Sequence, residues 1–153
     1  MAMWNPWRGC KKCSEECLRC YIHKGDAKRG IDTSHIVKTK DFYKPIQKLK
    51  NGNYKMKAGI VYLCFSTDFL IEEADAWRQE CWQMIKERSD CTFLFLTKRI
   101  DRFMKCIPEN WGDGYENMVD AFREKKKGAI AALFYHLPTF LPPSVCLFNQ
   151  EIR

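Results

Sequence analysis

Gly59-Ile60-Val61-Tyr62-Leu63-Cys64-Phe65 is an unbroken apolar run of strand length, and Cys91-Thr92-Phe93-Leu94-Phe95-Leu96-Thr97 is a second. Both read as buried strands. Between them the period changes. Ala74, Trp77, Cys81, Met84 and Ile85 recur at helical spacing within 71–88, while Glu72, Glu73, Asp75, Gln79, Glu80 and Lys86 largely occupy other faces. Ser66, Thr67 and Asp68 precede this helix as candidate caps for its free N–H groups. Strand, helix and strand in this order make a βαβ unit, which predicts two parallel strands joined by a right-handed crossover.

Working outward, Met3-Trp4-Asn5-Pro6-Trp7 reads as a short strand ending at Pro6, with Gly9 releasing the chain into a loop. Residues 21–40 are polar and give no clear period. Phe42 to Lys50 reads as a short helix stopped by Asn51-Gly52, and Arg99 to Cys106 as another, with Pro108 beyond its end. Trp77 and Trp82 are read as packing residues. In parallel α/β architectures ligands gather at the carboxyl ends of the strands. Three polar groups fall at such ends: the loop after the first strand, Ser66-Thr67-Asp68 after the second, and Thr97-Lys98-Arg99 after the third. They are expected to share one edge.

The loop after the first strand holds Cys10, Cys13, Cys17 and Cys20, four of the nine cysteines. Cys13, Cys17 and Cys20 form C-x3-C-x2-C, a spacing that lets three thiolates converge on one [4Fe–4S] cluster and leaves one iron without a protein ligand. Zinc is the alternative, because Cys10-x2-Cys13 and Cys17-x2-Cys20 are two C-x-x-C pairs, although they lie closer together than zinc-ribbon pairs usually do. A disulfide framework needs an oxidising compartment, and a redox C-x-x-C leaves one pair idle. Cys64, Cys81, Cys91, Cys106 and Cys146 stand in apolar contexts and read as small buried hydrophobes.

The 153 residues are read as a single domain, 46% apolar and 29% charged, with a net charge of +7. No apolar stretch is long enough to span a bilayer. The N-terminus lacks the apolar core of a signal peptide, so the chain is expected to be cytoplasmic. The charge is uneven: residues 1–57 hold 14 Lys/Arg against 5 Asp/Glu, and 58–153 hold 12 against 14. The basic N-terminal half suits nucleic acid or an anionic substrate.

With these residues assembled, the chain resembles radical S-adenosylmethionine proteins through Cys13-x3-Cys17-x2-Cys20. It is more similar still to a phage-associated, radical-SAM-like family of uncharacterised function. The matching blocks are Trp4-Asn5-Pro6-Trp7-Arg8-Gly9-Cys10, Cys17-x-x-Cys20-Tyr21, Cys64-Phe65-Ser66-Thr67-Asp68-Phe69-Leu70, and Leu96-Thr97-Lys98-Arg99-Ile100-Asp101-Arg102-Phe103. They fall in order within residues 4–117. Many relatives carry Cys-x6-Cys-x2-Cys, which matches Cys10, Cys17 and Cys20, so Cys10 and Cys13 both stand as first ligand. The resemblance implies an enzyme that binds S-adenosylmethionine on the open iron and generates a 5′-deoxyadenosyl radical. Ser66 and Asp68 would receive the amino group of S-adenosylmethionine, and Lys98 or Arg99 its carboxylate or an anionic substrate. The rival reading is a non-catalytic zinc or iron–sulfur protein that docks nucleic acid or a protein partner.

The implied fold is α/β, an incomplete parallel (βα) barrel-like sheet of three to four βα units. Residues 118–153 depart from the family pattern through Lys125-Lys126-Lys127-Gly128 and Leu141-Pro142-Pro143. An open sheet edge is therefore expected after the last parallel strand, to be covered by a second copy or a protein partner.

Overall fold

A computed structural model describes residues 2–108, together with the strand backbone at 130–135 and 145–148. In chain order the elements are β1 (Ala2–Trp4), β2 (Trp7–Arg8), α1 (Tyr21–Lys28), β3 (Val37–Lys38), β4 (Gly59–Leu63), α2 (Asp75–Glu87), β5 (Cys91–Thr97), α3 (Phe103–Cys106), β6 (Ile130–Tyr135) and β7 (Val145–Phe148). The central unit forms as its two periods require: β4 and β5 pair in parallel, with Val61 opposite Phe93, and α2 runs between them. β1 lies parallel on the other side of β4, with Trp4 opposite Leu63. A separate two-stranded ribbon joins β2 to β3.

The parallel, barrel-like, radical-SAM-like sheet of three to four units is not what forms. The described strands make an open, mixed sheet in the order β1-β4-β5-β6-β7, in which only β1, β4 and β5 are parallel. β6 pairs antiparallel with β5, placing Leu133 opposite Phe95, and β7 pairs antiparallel with β6. The edge of β5 is consequently not open, because β6 takes it. The apolar run at 129–135 is strand-like, but periodicity carries no information on strand direction. A parallel neighbour needs a long crossover, whereas an antiparallel one needs only a return of the chain.

Burial also differs from the continuous kind expected of the two apolar runs. Along β5 it alternates: Cys91, Phe93, Phe95 and Thr97 are buried, and Thr92, Leu94 and Leu96 are half-buried. Val61 and Leu63 of β4 are buried on the same period, whereas Ile60 stays exposed. The inner face packs with Trp4, Trp7, Phe69, Trp82 and Phe103 into one core. Trp7 stacks on Phe69 at 5.4 Å, Phe69 meets Trp82 edge-on at 5.0 Å, and Trp4 meets Phe93 at 5.8 Å. Such aromatic pairs add about 0.5–1.5 kcal/mol each beyond their buried area. Trp82 is a core residue, and half-buried Trp77 packs against the core. Cys64, Cys81, Cys91 and Cys106 are buried as expected; Cys146 has its side chain outside the described residues.

Ser66–Asp68 do not cap α2. A 3₁₀ turn at Glu72–Ala74 leads into it, and its N-terminal residue makes no side-chain cap bond. Two arginines serve as internal braces instead. Arg78, 2% exposed, donates to the carbonyls of Phe69 and Ile71 and so ties the β4–α2 connection to the helix. Arg88, fully buried, donates to the carbonyls of Pro45 at 2.5 Å and Met56 at 2.8 Å, and to Asp90. Phe42–Lys50 forms only a 3₁₀ turn at Lys44–Ile46, after which the chain enters a hairpin bridged at Lys48 and Tyr54. No helix among the described residues is long and apolar enough to cross a membrane.

Arg88→Met keeps the aliphatic volume but strips two buried carbonyls of their donors. The expected loss is roughly 2–4 kcal/mol of stability, since each unsatisfied buried group costs about 1–3 kcal/mol. The midpoint of urea unfolding, at unchanged denaturant slope, checks it.

Candidate functional site

The carboxyl ends of the three parallel strands meet at one edge, as expected of this architecture. β4 ends at Leu63; the next residue, Cys64, has a left-handed φ of 56°, and the chain turns there into Ser66-Thr67-Asp68. A non-glycine residue in that region is strained, and strain of this kind gathers at functional edges. Asp68, 5% exposed, then reaches across to β5. Its Oδ1 accepts the Leu70 N–H at 2.9 Å and the Thr97 hydroxyl at 2.8 Å. Its Oδ2 accepts the Lys98 N–H at 3.2 Å and the Arg99 guanidinium at 3.1 Å.

Arg99, 8% exposed, extends this link into the cysteine loop by donating to the Lys11 carbonyl at 2.7 Å. It also faces Glu72 at 3.5 Å. The loop is held elsewhere too. Thr67 donates its hydroxyl to the Gly9 carbonyl, Cys10 N–H donates to the Thr33 carbonyl at 2.7 Å, and the Tyr21 hydroxyl donates to the Phe65 carbonyl at 2.8 Å. Gly9 has a φ of +91°, and a Cβ there would lie 2.3 Å from the His35 carbonyl oxygen. Only glycine fits where the chain enters the loop.

Within the loop, Glu15–Arg19 forms a 3₁₀ turn that carries Cys17, and Cys20 directly precedes α1. Cys17 is buried, Cys10 and Cys20 are half-buried, and Cys13 is exposed. Their acidities diverge. Burial pushes the half-buried Cys10 thiol up to about 11, with the Arg99 charge pulling the other way. Burial also acts against ionisation of Cys17. Hydrogen bonds from the Cys13 backbone and from the hydroxyl and backbone of Ser14, with the Lys98 charge, outweigh it and hold that thiol below its ordinary value. Ser14 Oγ lies 3.5 Å from Cys17 Sγ.

The expected site residues thus fall on one edge. Asp68 and Arg99 are occupied by each other and by the backbone, which makes them braces of the edge. Half-buried Lys98 places its charge near Cys17, and half-buried Ser66 donates its backbone N–H to Asn5 at 3.5 Å. Among the described residues, no three of His, Cys, Asp and Glu are arranged to hold a metal ion. The donors suit an iron–sulfur cluster in kind and in number, so the loop would have to close around the group.

Sequence reasoning did not single out α1 or His23. A cavity of about 450 Å³ beside Cys10 is lined by Lys11, Lys12, His23, Ala27 and the 31–34 segment. His23 Nε2 is buried there without a hydrogen-bond partner among the described residues. Burial, and the Lys12 charge after it, hold the imidazole below its ordinary pKa, against the pull of Asp26. An apolar period could not have revealed α1, because that helix buries no residue.

One family model matches residues 1–143, and its description is "Protein of unknown function (DUF5131)". The chain belongs to that family. No curated protein and no solved structure matches it.

Three substitutions test how this edge is built. Arg99→Met leaves the Asp68 carboxylate buried and unpaired, at an expected loss of roughly 3–5 kcal/mol. Combining it with Asp68→Asn should cost less than the sum of the two single changes in urea unfolding. Gly9→Ala should lose about 1–3 kcal/mol from its left-handed backbone alone, more once the His35 clash is added. Faster amide exchange at residues 9–13 would accompany the loss.

Proposed function

We propose that this chain is an iron–sulfur protein of the radical S-adenosylmethionine type, acting on a substrate that no motif specifies. The observation that carries the reading is the C-x3-C-x2-C loop tied to the carboxyl edge of three parallel strands by Arg99 and Thr67. Cys17 and Cys20 would be ligands, with Cys13 or Cys10 as the third. When bound, the cluster and S-adenosylmethionine together supply reductive cleavage of the sulfonium to a 5′-deoxyadenosyl radical. The chain's own share is positional. Lys98 offers positive charge beside Cys17, Ser66 offers a hydroxyl at the same edge, and the Asp68–Arg99 pair keeps both strand ends in register. The cavity beside Cys10 gives an anionic or polar ligand Lys12 and His23 as partners. A reducing, cytoplasmic setting accords with a site made of free thiols.

A second reading, a non-catalytic zinc or iron–sulfur site, is favoured by one observation. Among the described residues only three strands are parallel. The two readings part in an anaerobic reconstitution with iron and sulfide. Broad visible absorption is expected and, once dithionite is added as the one-electron donor, turnover of S-adenosylmethionine to methionine and 5′-deoxyadenosine, whereas a colourless protein that retains zinc would replace the first reading with the second. Cys17→Ala and Cys20→Ala should each abolish cluster assembly. Cys10→Ala or Cys13→Ala alone should leave at least one variant loaded, and full iron content in Cys17→Ala would refute the ligand set.

A further inference from the structure

The lysines of the N-terminal half are concentrated away from the cysteine loop. At the opposite, amino-terminal end of β1 and β4, a cleft of about 390 Å³ is lined by Ala2, Asp41, Lys44, Gln47, Lys55, Met56, Lys57, Ala58 and Ile60. Three lysines and one aspartate therefore face the same space. The hairpin that forms one wall adds Lys48 and Lys50, both exposed. Among the described residues, Lys44, Lys48, Lys50, Lys55 and Lys57 make no ion pair with a carboxylate, whereas Lys11 and Lys38 do. Lys44 donates to the Met3 carbonyl at 3.0 Å, and Lys48 lies 5.2 Å from the Tyr54 ring.

This positive surface is also stiff. The hairpin closes through Leu49 N–H to the Asn53 carbonyl at 2.8 Å and Lys55 N–H to the Gln47 carbonyl at 2.7 Å, and Gly52 turns it with a φ of +84°. Buried Arg88 holds its base through the carbonyls of Pro45 and Met56, and its guanidinium lies 4.3 Å from the Tyr54 ring. On the same hairpin, between Lys48 and Lys50, Leu49 is 49% exposed, whereas Tyr43 has its hydroxyl held by Glu80 of α2 at 2.8 Å. Unpaired lysines on a fixed scaffold next to an exposed apolar side chain suit a sugar–phosphate backbone whose bases are unpaired and free to lie against it.

We propose that this cleft and hairpin bind single-stranded nucleic acid, with Lys44, Lys55 and Lys57 on phosphates and Leu49 offering an apolar surface to a base. The inference does not rest on the cluster, because the cleft lies at the other end of the strands from the cysteines. The test is fluorescence anisotropy with labelled single-stranded DNA and RNA of about 20 nucleotides at about 50 mM salt, a condition in which phosphate contacts dominate affinity.

Lys55→Glu/Lys57→Glu is compared with Lys24→Glu/Lys28→Glu, an equal charge change on exposed positions of α1. The hairpin pair should weaken binding about tenfold and lower the salt slope by about 1 to 1.5, as expected for two lost contacts on a single strand. The helix pair should change affinity less than about twofold, since charges outside the contact act only through the screened long-range field. Equal weakening by both pairs would reduce the effect to net charge and overturn the site. Absence of binding by the unaltered chain would overturn it as well. So would tighter binding of a duplex that the hairpin pair leaves intact.

Discussion

The carboxylate of Asp68 and the guanidinium of Arg99 meet almost out of solvent, and the cysteine edge is assembled around that meeting. A buried ion pair gains little net stability over apolar packing, because desolvation consumes most of the Coulomb energy. Here the pair does something packing cannot. The carboxylate accepts four donors from three places, the turn after β4, the end of β5 and the Arg99 side chain. Once satisfied in this way, neither strand end can slide without stranding a charge. The other terminal nitrogen of Arg99 holds the Lys11 carbonyl, so the thiol loop takes its position from the same pair.

The sheet also separates two chemistries along one axis. Thiols and a neighbouring ammonium lie at the carboxyl ends of the strands, and unpaired lysines lie at the amino ends. The same strands carry both, with the aromatic core between them. Charge at one end is therefore poorly placed to tune the other, since salt screens interactions beyond about 10 Å. Positive charge near Cys17 comes from Lys98 rather than from the lysine-rich segment.

The βαβ unit was legible because its two periods are strong and its residues agree with them. The shared edge was legible too, since strand-end placement follows from parallel pairing. Other features were not. α1 buries nothing, so it leaves no apolar period. Nothing in the sequence marks Arg78 and Arg88 as buried, and only tertiary structure reveals the backbone carbonyls that each satisfies. The direction of β6 is invisible because an apolar strand looks the same read from either end. Asp68 and Arg99 were legible as groups of that edge, but not as partners of each other, because the sequence carries no sign of the hydrogen bond between them.

The bond from Arg99 to Lys11 closes a separation of 88 residues, and the Thr67 contact to Gly9 closes 58. During synthesis the thiol loop emerges long before the residues that seat it. Until β5 has been made and paired, four cysteines hang from a chain with no fixed position for them. Non-local contacts of this kind form late, because loop-closure entropy must be overcome first. The nascent chain thus passes through a stage in which its thiols are open to stray metals and oxidants. The seated form of the loop comes into being only with the Asp68–Arg99 pair.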